Sequence, residues 1–448
     1  MAGLERAVGR HLPGDARRGG VSGAWRWIAR VGPLGYNPSG LATPISRGTF
    51  WQRALLVLAA PVVFVLVCDL MIRAAGVDTD LVRNESFRIG VPVWALGDPN
   101  WVDVQRRRRE EPRGVQAADV AWLRHFEEAR YIQYKLKPNI SIDATNPFND
   151  TELRRGTTFR IESNSSGFRT KDFGPKTPGV ARIVTMGDSS TFGWGVDADY
   201  TYQVLLETRL QDDGVPTEVL NLGISGHTTR HGLGVFEHYV RDLNPDALIV
   251  SYGANDARLV LQTADEMLAI DDTWRGTVRT TLLRFETFKL LRRWVLGIYD
   301  PFDVSGEPGT PADVDRVLVK AVPRDQYIDH LREMIREARA YDAETVLLAV
   351  CAPPDYVRGM RYVSETEGVP LVDARKIFGA NIDDLRAHRL YANEVRYYEA
   401  LYGEHAMAED WRLFVTTDGC HPGRAGHSLI ADALRQAVQQ IREARAGH

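Results

Sequence analysis

Between residues 181 and 444, short apolar runs rich in Val, Ile and Leu alternate with amphipathic helical stretches, and this rhythm limits the fold more than any other feature of the 448-residue chain. The strand candidates are Ala181–Met186, Glu218–Leu222, Ala247–Tyr252, Thr345–Val350 and Leu371–Val372, each bounded by polar, Gly or Pro residues. Helical stretches lie between them at Tyr202–Leu210, roughly Arg230–Asp242 and Asp325–Ala340, and a closing one runs from about Arg424 to Ala444. In Asp325–Ala340, residues Ile328, Leu331, Ile335 and Ala338 share one face; in the closing helix, Leu429, Ile430, Leu434, Val438 and Ile441 do. Strand and helix in alternation imply a mostly parallel sheet covered on both faces, an α/β fold built as a three-layer α/β/α sandwich. In such sheets a ligand site lies beyond the carboxyl ends of the strands.

The N-terminal part has a different character. Residues 1–53 carry eight Arg against two acids, Glu5 and Asp15, and little apolar periodicity. Residues 54–72 are apolar from Ala54 to Cys68 and, after Asp69, continue through Leu70, Met71 and Ile72. At a rise of ~1.5 Å per residue this stretch covers roughly 28 Å, one hydrocarbon core, and Pro61 is tolerated in such a setting. One N-terminal transmembrane helix is therefore expected at 54–72. The Arg-rich tail places 1–53 in the cytoplasm and the remainder outside the cytoplasmic membrane. A cleaved signal fits less well, because both the tail and the apolar run are too long; a buried helix of a soluble protein is the other rival. The run Arg106–Arg109 is followed by Glu110 and Glu111 and reads as a solvated charged face.

Residues 73–157 read as a juxtamembrane accessory region, with a helix expected around Val120–Arg130. Insertions at 257–322 and 376–413 interrupt the α/β rhythm and carry many aromatic residues, fitting lids or pocket walls as well as local core. A net charge of −4 gives no reason to expect a nucleic-acid partner. Three cysteines are too few for a disulfide scaffold. Cys351 and Cys420 fall near the same edge of the expected sheet; a bond between them is one reading, two free thiols the preferred one.

Four blocks follow strand candidates in order: Gly187-Asp188-Ser189, Gly223-Ile224-Ser225-Gly226, Gly253-Ala254-Asn255-Asp256 and Asp418-Gly419-Cys420-His421-Pro422. Together they supply a nucleophile, two kinds of oxyanion donor and an acid–base pair, the parts needed for acyl transfer through a serine ester. A neutral His421 can take the serine proton and return it to the leaving alcohol. Asp418, three residues earlier, is close enough in the chain to reach the far ring nitrogen and fix the tautomer. A metal site is a poorer reading, since Cys420 and His421 are adjacent and no second ligand pair has useful spacing. No cofactor is expected.

On these blocks the chain resembles the SGNH, or GDSL, hydrolase superfamily, over roughly residues 158–448, and looks like a membrane-anchored bacterial member. The resemblance implies the SGNH, flavodoxin-like version of the sandwich, with Ser189 as nucleophile rather than Ser190. It implies an oxyanion hole made by the backbone N–H groups of Ser189 and Gly226 and the side-chain amide of Asn255, with Gly226 favoured over Gly223. The segment Thr158–Arg169 resembles a lead-in found upstream of the first block in membrane-anchored members. The expected activity is a serine esterase with a Ser189–His421–Asp418 triad, acting on acyl esters (O-acetyl included) of an extracytoplasmic glycan or lipid. An O-acyltransferase using the same acyl-enzyme is the alternative, and an inactive binding module a more distant one.

Overall fold

The computed structural model describes residues 47–77, 125–145, 158–260, 263–295, 319–381 and 420–446. Two compact units are distinguished, Met1–Phe64 and Val65–His448. Helix α1 (Arg47–Ala74) contains the stretch 54–72, with Pro61 inside it. Leu66, Val67, Leu70 and Met71 stand exposed on it. The side chains at 54, 56 and 58 and the tail at 1–46 lie outside the described residues. Among the described residues, no helix is long and apolar enough to cross a membrane.

The accessory region differs from expectation. Strands β1 (Phe126–Ala129) and β2 (Gln133–Leu136) form an antiparallel hairpin where a helix over Val120–Arg130 was expected; residues 120–124 lie outside the described set. Positive φ at Tyr131 and Gln133 closes the turn, and Phe126, Ile132, Tyr134 and Leu136 are all buried. Burial in a hairpin thus outweighs the helix propensity of the Glu-Glu-Ala stretch. Next, β3 (Ser141–Thr145) pairs antiparallel with β4 (Thr158–Glu162), the start of the lead-in segment.

The central sheet has five parallel strands in the order β11-β10-β7-β5-β6. They are β5 (Ala181–Gly187), β6 (Thr217–Asn221), β7 (Ala247–Ser251), β10 (Glu344–Ala349) and β11 (Leu371–Asp373). A short antiparallel pair, β8 (Leu259–Val260) with β9 (Val319–Lys320), lies in the first insertion. Successive side chains of the central strands enter opposite cores, as the two-residue period requires. Val184, Leu248 and Leu347 join one cluster, while Ile183, Ile249, Val346 and Leu348 join the other. The helices in chain order are α2 (Ser189–Phe192), α3 (Tyr202–Asp212), α4 (Thr229–Val235), α5 (Ala264–Leu268), α6 (Trp274–Leu282), α7 (Glu286–Val295), α8 (Arg324–Ala340), α9 (Pro354–Glu367), α10 (Ala374–Asn381) and α11 (Arg424–Ala446). Leu331 and Ile335 of α8 and Met360 of α9 fill the first core. Leu206 of α3, Phe378 of α10 and Leu429, Ile430 and Leu434 of α11 fill the second. Burying each large apolar side chain contributes about 1.5–3 kcal/mol, so the two cores hold the helices against both faces of the sheet and give the three-layer sandwich.

The last turns of α1 are held by charge. Asp69, buried, accepts from the backbone N–H groups of Glu286 and Thr287 at the start of α7. Arg73 pairs with Asp69 at 2.8 Å and with Glu286 at 3.1 Å, and donates to the Arg284 carbonyl at 2.6 Å. A carboxylate at a helix N-terminus satisfies donors that the helix itself leaves open.

Candidate active site

Strand β5 sits between β7 and the edge strand β6, so its carboxyl end opens one strand in from that edge of the sheet. Gly187 ends it at a place where a Cβ would overlap both the Thr191 hydroxyl and the Ser251 backbone oxygen. Asp188 then caps α2, its carboxylate accepting the Ser190 N–H at 2.9 Å. Ser189 becomes the first residue of that helix, and its Oγ lies 2.9 Å from Nε2 of His421. In the tautomer that carries its proton on Nδ1, the hydroxyl donates to Nε2.

Exposure separates the candidates within each block. Ser189 is partly exposed, whereas Ser190 is 1% exposed. Gly226 is partly exposed between buried Ser225 and His227, while Gly223 is buried. Asn255 is partly exposed between buried Ala254 and Asp256. Ser189, Gly226 and Asn255 are thus the members of their blocks that solvent reaches, at the ends of β5, β6 and β7.

Hydrogen bonds tie these loops together. The Ile224 N–H donates to the Gly187 carbonyl at 3.0 Å, and the Asp188 N–H to that of Ser251 at 3.3 Å. Nδ2 of Asn255 donates to the His227 carbonyl at 3.1 Å, and Arg258 donates to Oδ1 of Asn255 at 3.4 Å. Next along the chain, Asp256 accepts from both the N–H and the hydroxyl of Thr229, at the start of α4. Gly226 has φ +86°, a left-handed conformation that glycine adopts without strain.

Burial sets the charge of the groups behind the site. It pushes the Asp188 carboxyl up to about 6 and that of Asp256 up to about 7, against the hydrogen bonds each accepts. Burial holds the His227 ring well below the usual imidazole range and lowers His231, stacked on it, to about 3. Both rings are neutral, and His227 is fully buried against the Tyr134 carbonyl.

His421 enters the site between two fixed points. Cys420 is bonded to Cys351, 69 residues away in sequence, with Cα atoms 4.6 Å apart. This corrects the preferred expectation of two free thiols: both cysteines do reach the same sheet edge, as expected, and there they are bonded. Cys68 is free. Asp418 lies outside the described residues, as does 382–413 of the second insertion. Among the described residues, no group of three or more His, Cys, Asp or Glu is placed to hold a metal ion.

Arg169 is the residue that sequence reasoning missed. It ends the lead-in segment, where the Asn164 side chain accepts from the N–H groups of Ser166 and Phe168 and folds the chain into a tight turn. Arg169 is 5% exposed, and its guanidinium donates to the carbonyls of Phe192, which ends α2, and of Gly193 and Val196 just after it, and to that of Arg160. Burial lowers its pKa to about 10. The signal was an Arg in a segment singled out for its resemblance, but nothing in the sequence said which carbonyls it would meet.

The model of the GDSL-like Lipase/Acylhydrolase family matches residues 185–429. Esterase TesA of Pseudomonas aeruginosa is 31% identical over 74 residues, 16% of this chain and 37% of that protein. An arylesterase of Vibrio mimicus is 31% identical over 75 residues, 17% of this chain and 38% of that one. The chain thus spans well under half the length of these curated relatives. Among solved structures, the psychrotrophic esterase EstA from Pseudoalteromonas sp. matches 58% of this chain and 98% of its own, at 15% identity and a TM-score of 0.34. A structure of the acetyl-xylooligosaccharide esterase Axe2 matches 59% and 95%, at 18% identity and a TM-score of 0.32. The family model covers more than half of the chain, from the strand before Ser189 to beyond His421, and the protein belongs to the GDSL-like Lipase/Acylhydrolase family.

Proposed function

We propose that the protein is a serine esterase that removes acyl groups from ester substrates, and the 2.9 Å contact between Ser189 Oγ and His421 Nε2 carries this reading. His421 takes the hydroxyl proton as Ser189 attacks the ester carbonyl, then returns it to the leaving alcohol. The N–H groups of Ser189 and Gly226 and the amide of Asn255 receive the developing oxyanion. Asp418 orients the far side of the imidazole. Water, activated by the same His421, then cleaves the acyl-enzyme.

The reading extends to place. The apolar stretch 54–72, with exposed Leu66, Val67, Leu70 and Met71, supports a single-pass anchor in the cytoplasmic membrane. The Cys351–Cys420 bond supports a catalytic region on the oxidising, extracytoplasmic side. Ester-bearing glycans or lipids are the substrates within reach there.

The test is hydrolysis of p-nitrophenyl esters from acetyl to palmitoyl by the full chain in detergent, beside Ser189→Ala. Turnover that disappears in the variant while the fold persists is the expected result; turnover retained by Ser189→Ala overturns the reading. Product analysis with a glycan acceptor separates hydrolysis from transfer to a sugar hydroxyl.

A further inference from the structure

We propose that the Cys351–Cys420 disulfide is a positioning element for His421, so that turnover depends on the oxidised state of this one bond. The inference rests on the esterase reading above, in which His421 is the base.

The argument starts from how little chain carries His421. One residue upstream, Cys420 is covalently bound to Cys351. Three residues downstream, α11 begins at Arg424. That helix is fastened to α3 and its cap: Nδ1 of His427 accepts the Tyr202 N–H at 3.2 Å, and Arg209 donates to the carbonyl and hydroxyl of Ser428 and pairs with Asp432. Only His421, Pro422 and Gly423 lie between the staple and the helix, and Pro422 has its φ fixed by its ring. His421 is 6% exposed, and its hydrogen bond to Ser189 spans 232 residues of sequence.

The other end of the staple is as firmly set. Cys351 is buried two residues beyond β10. The adjoining Ala352 packs so closely on Gly253 that a Cβ on that glycine would meet the Ala352 methyl. Gly253 opens the block that holds Asn255. The bond therefore links the base to the loop that carries an oxyanion donor, and cutting it removes the covalent tie one residue upstream of His421. A displacement of about 1 Å at a catalytic group costs about 10²-fold in rate.

Reduction is a balanced exchange: two thiols of a reductant such as dithiothreitol give two electrons and two protons to the cystine, yielding Cys351 and Cys420 thiols and the oxidised reductant. It requires no change at Cys68.

The experiment uses the full chain in detergent, carrying Cys68→Ser so that every titrated thiol belongs to this pair. Oxidised protein should show no thiol when denatured without reductant; two thiols overturn the proposal. After reduction, kcat should fall at least about 10-fold with KM within about twofold, the rate of Ser189 labelling by a fluorophosphonate should fall in parallel, and reoxidation should restore both. Unchanged kcat with both thiols titrated overturns it. Loss of native circular dichroism at the assay temperature on reduction also overturns it, because the bond would then be a general stabiliser. The variant pair Cys351→Ser and Cys420→Ser should match the reduced enzyme. Turnover retained by Ser189→Ala in the oxidised chain would instead remove the esterase reading, an outcome distinct from all of these.

Discussion

The side-chain amide of Asn255 donates to the backbone carbonyl of His227 at 3.1 Å, across the gap between the loops that follow β7 and β6. One N–H of the amide is thereby used to hold the side chain, while its carbonyl faces Arg258. In the proposed mechanism the second N–H donates to the oxyanion. Asn255→Ala should lower kcat by about 10²–10³ with a much smaller change in KM, the signature of a donor used mainly in the transition state. Asn255→Asp should do no better, because a carboxylate offers the oxyanion no N–H and adds like charge. Steady-state kinetics on a p-nitrophenyl ester decides; wild-type kcat in either variant would take Asn255 out of the hole.

The neighbour of Asn255 gives a pH dependence. Asp256 is fully buried, and burial raises its carboxyl to about 7; in an unfolded chain it ionises near ~3.9. Between these values the folded protein holds a proton that the unfolded chain has released. Stability from this group is therefore fully present below about pH 4, is lost as pH rises through about 7, and is level above that. Asp188, raised to about 6, acts in the same direction over a narrower window. Asp256→Asn keeps the oxygen that accepts from Thr229 and removes the titration. Urea melts at pH 4.5, 5.5, 6.5 and 7.5, values chosen at about one-unit steps across this window, should show a shallower decline in the variant; equal slopes would exclude Asp256 as the source.

Arg169 makes a stability prediction that charge alone would not. Its guanidinium meets four buried or half-buried carbonyls around the end of α2; those of Phe192 and Gly193 keep a second, longer bond from Asn221 and the Val196 N–H, and each acceptor left unpaired costs about 1–3 kcal/mol. Arg169→Ala should lose about 3 kcal/mol or more in denaturant melts. Arg169→Lys should recover little of it, because an ammonium cannot reproduce a planar fork aimed at several carbonyls. Full rescue by Lys would show that the positive charge, and not the fork, matters there.

What the sequence revealed and what it hid follow from range. The central strands β5, β7 and β10 were legible because burial on both faces makes each an almost unbroken apolar run, a signal contained in a few residues, and the edge strands β6 and β11 carry a shorter version of it. The Ser189–His421 contact could be anticipated because each lies in a short, local block, although 232 residues separate them. The β1–β2 hairpin was not, since Glu127, Glu128 and Ala129 favour a helix until Phe126 and Leu136 find a core to enter. The sequence brought Cys351 and Cys420 to one sheet edge but could not say whether they bond, and the carbonyls around Arg169 depend on where distant segments arrive, which no local pattern reports.

Two glycines should respond in opposite directions to the same substitution. At Gly187 a Cβ would overlap the Ser251 backbone oxygen, which already accepts the Asp188 N–H and belongs to the neighbouring strand β7. That oxygen cannot yield unless β5 shifts against β7, and Ser189 lies two residues away. Gly187→Ala should therefore cost about 1–3 kcal/mol and lower kcat as well, because the strain falls on the turn that carries Ser189, the proposed nucleophile. Gly379 lies within α10 with nothing near its missing Cβ. Gly379→Ala should stabilise by about 0.5–1 kcal/mol, through helix propensity and a less flexible unfolded chain, and leave kcat unchanged. Thermal melts and ester hydrolysis on the pair test both; a Gly187→Ala variant as stable and active as the parent would mean that β5 and β7 are not locked together at the site.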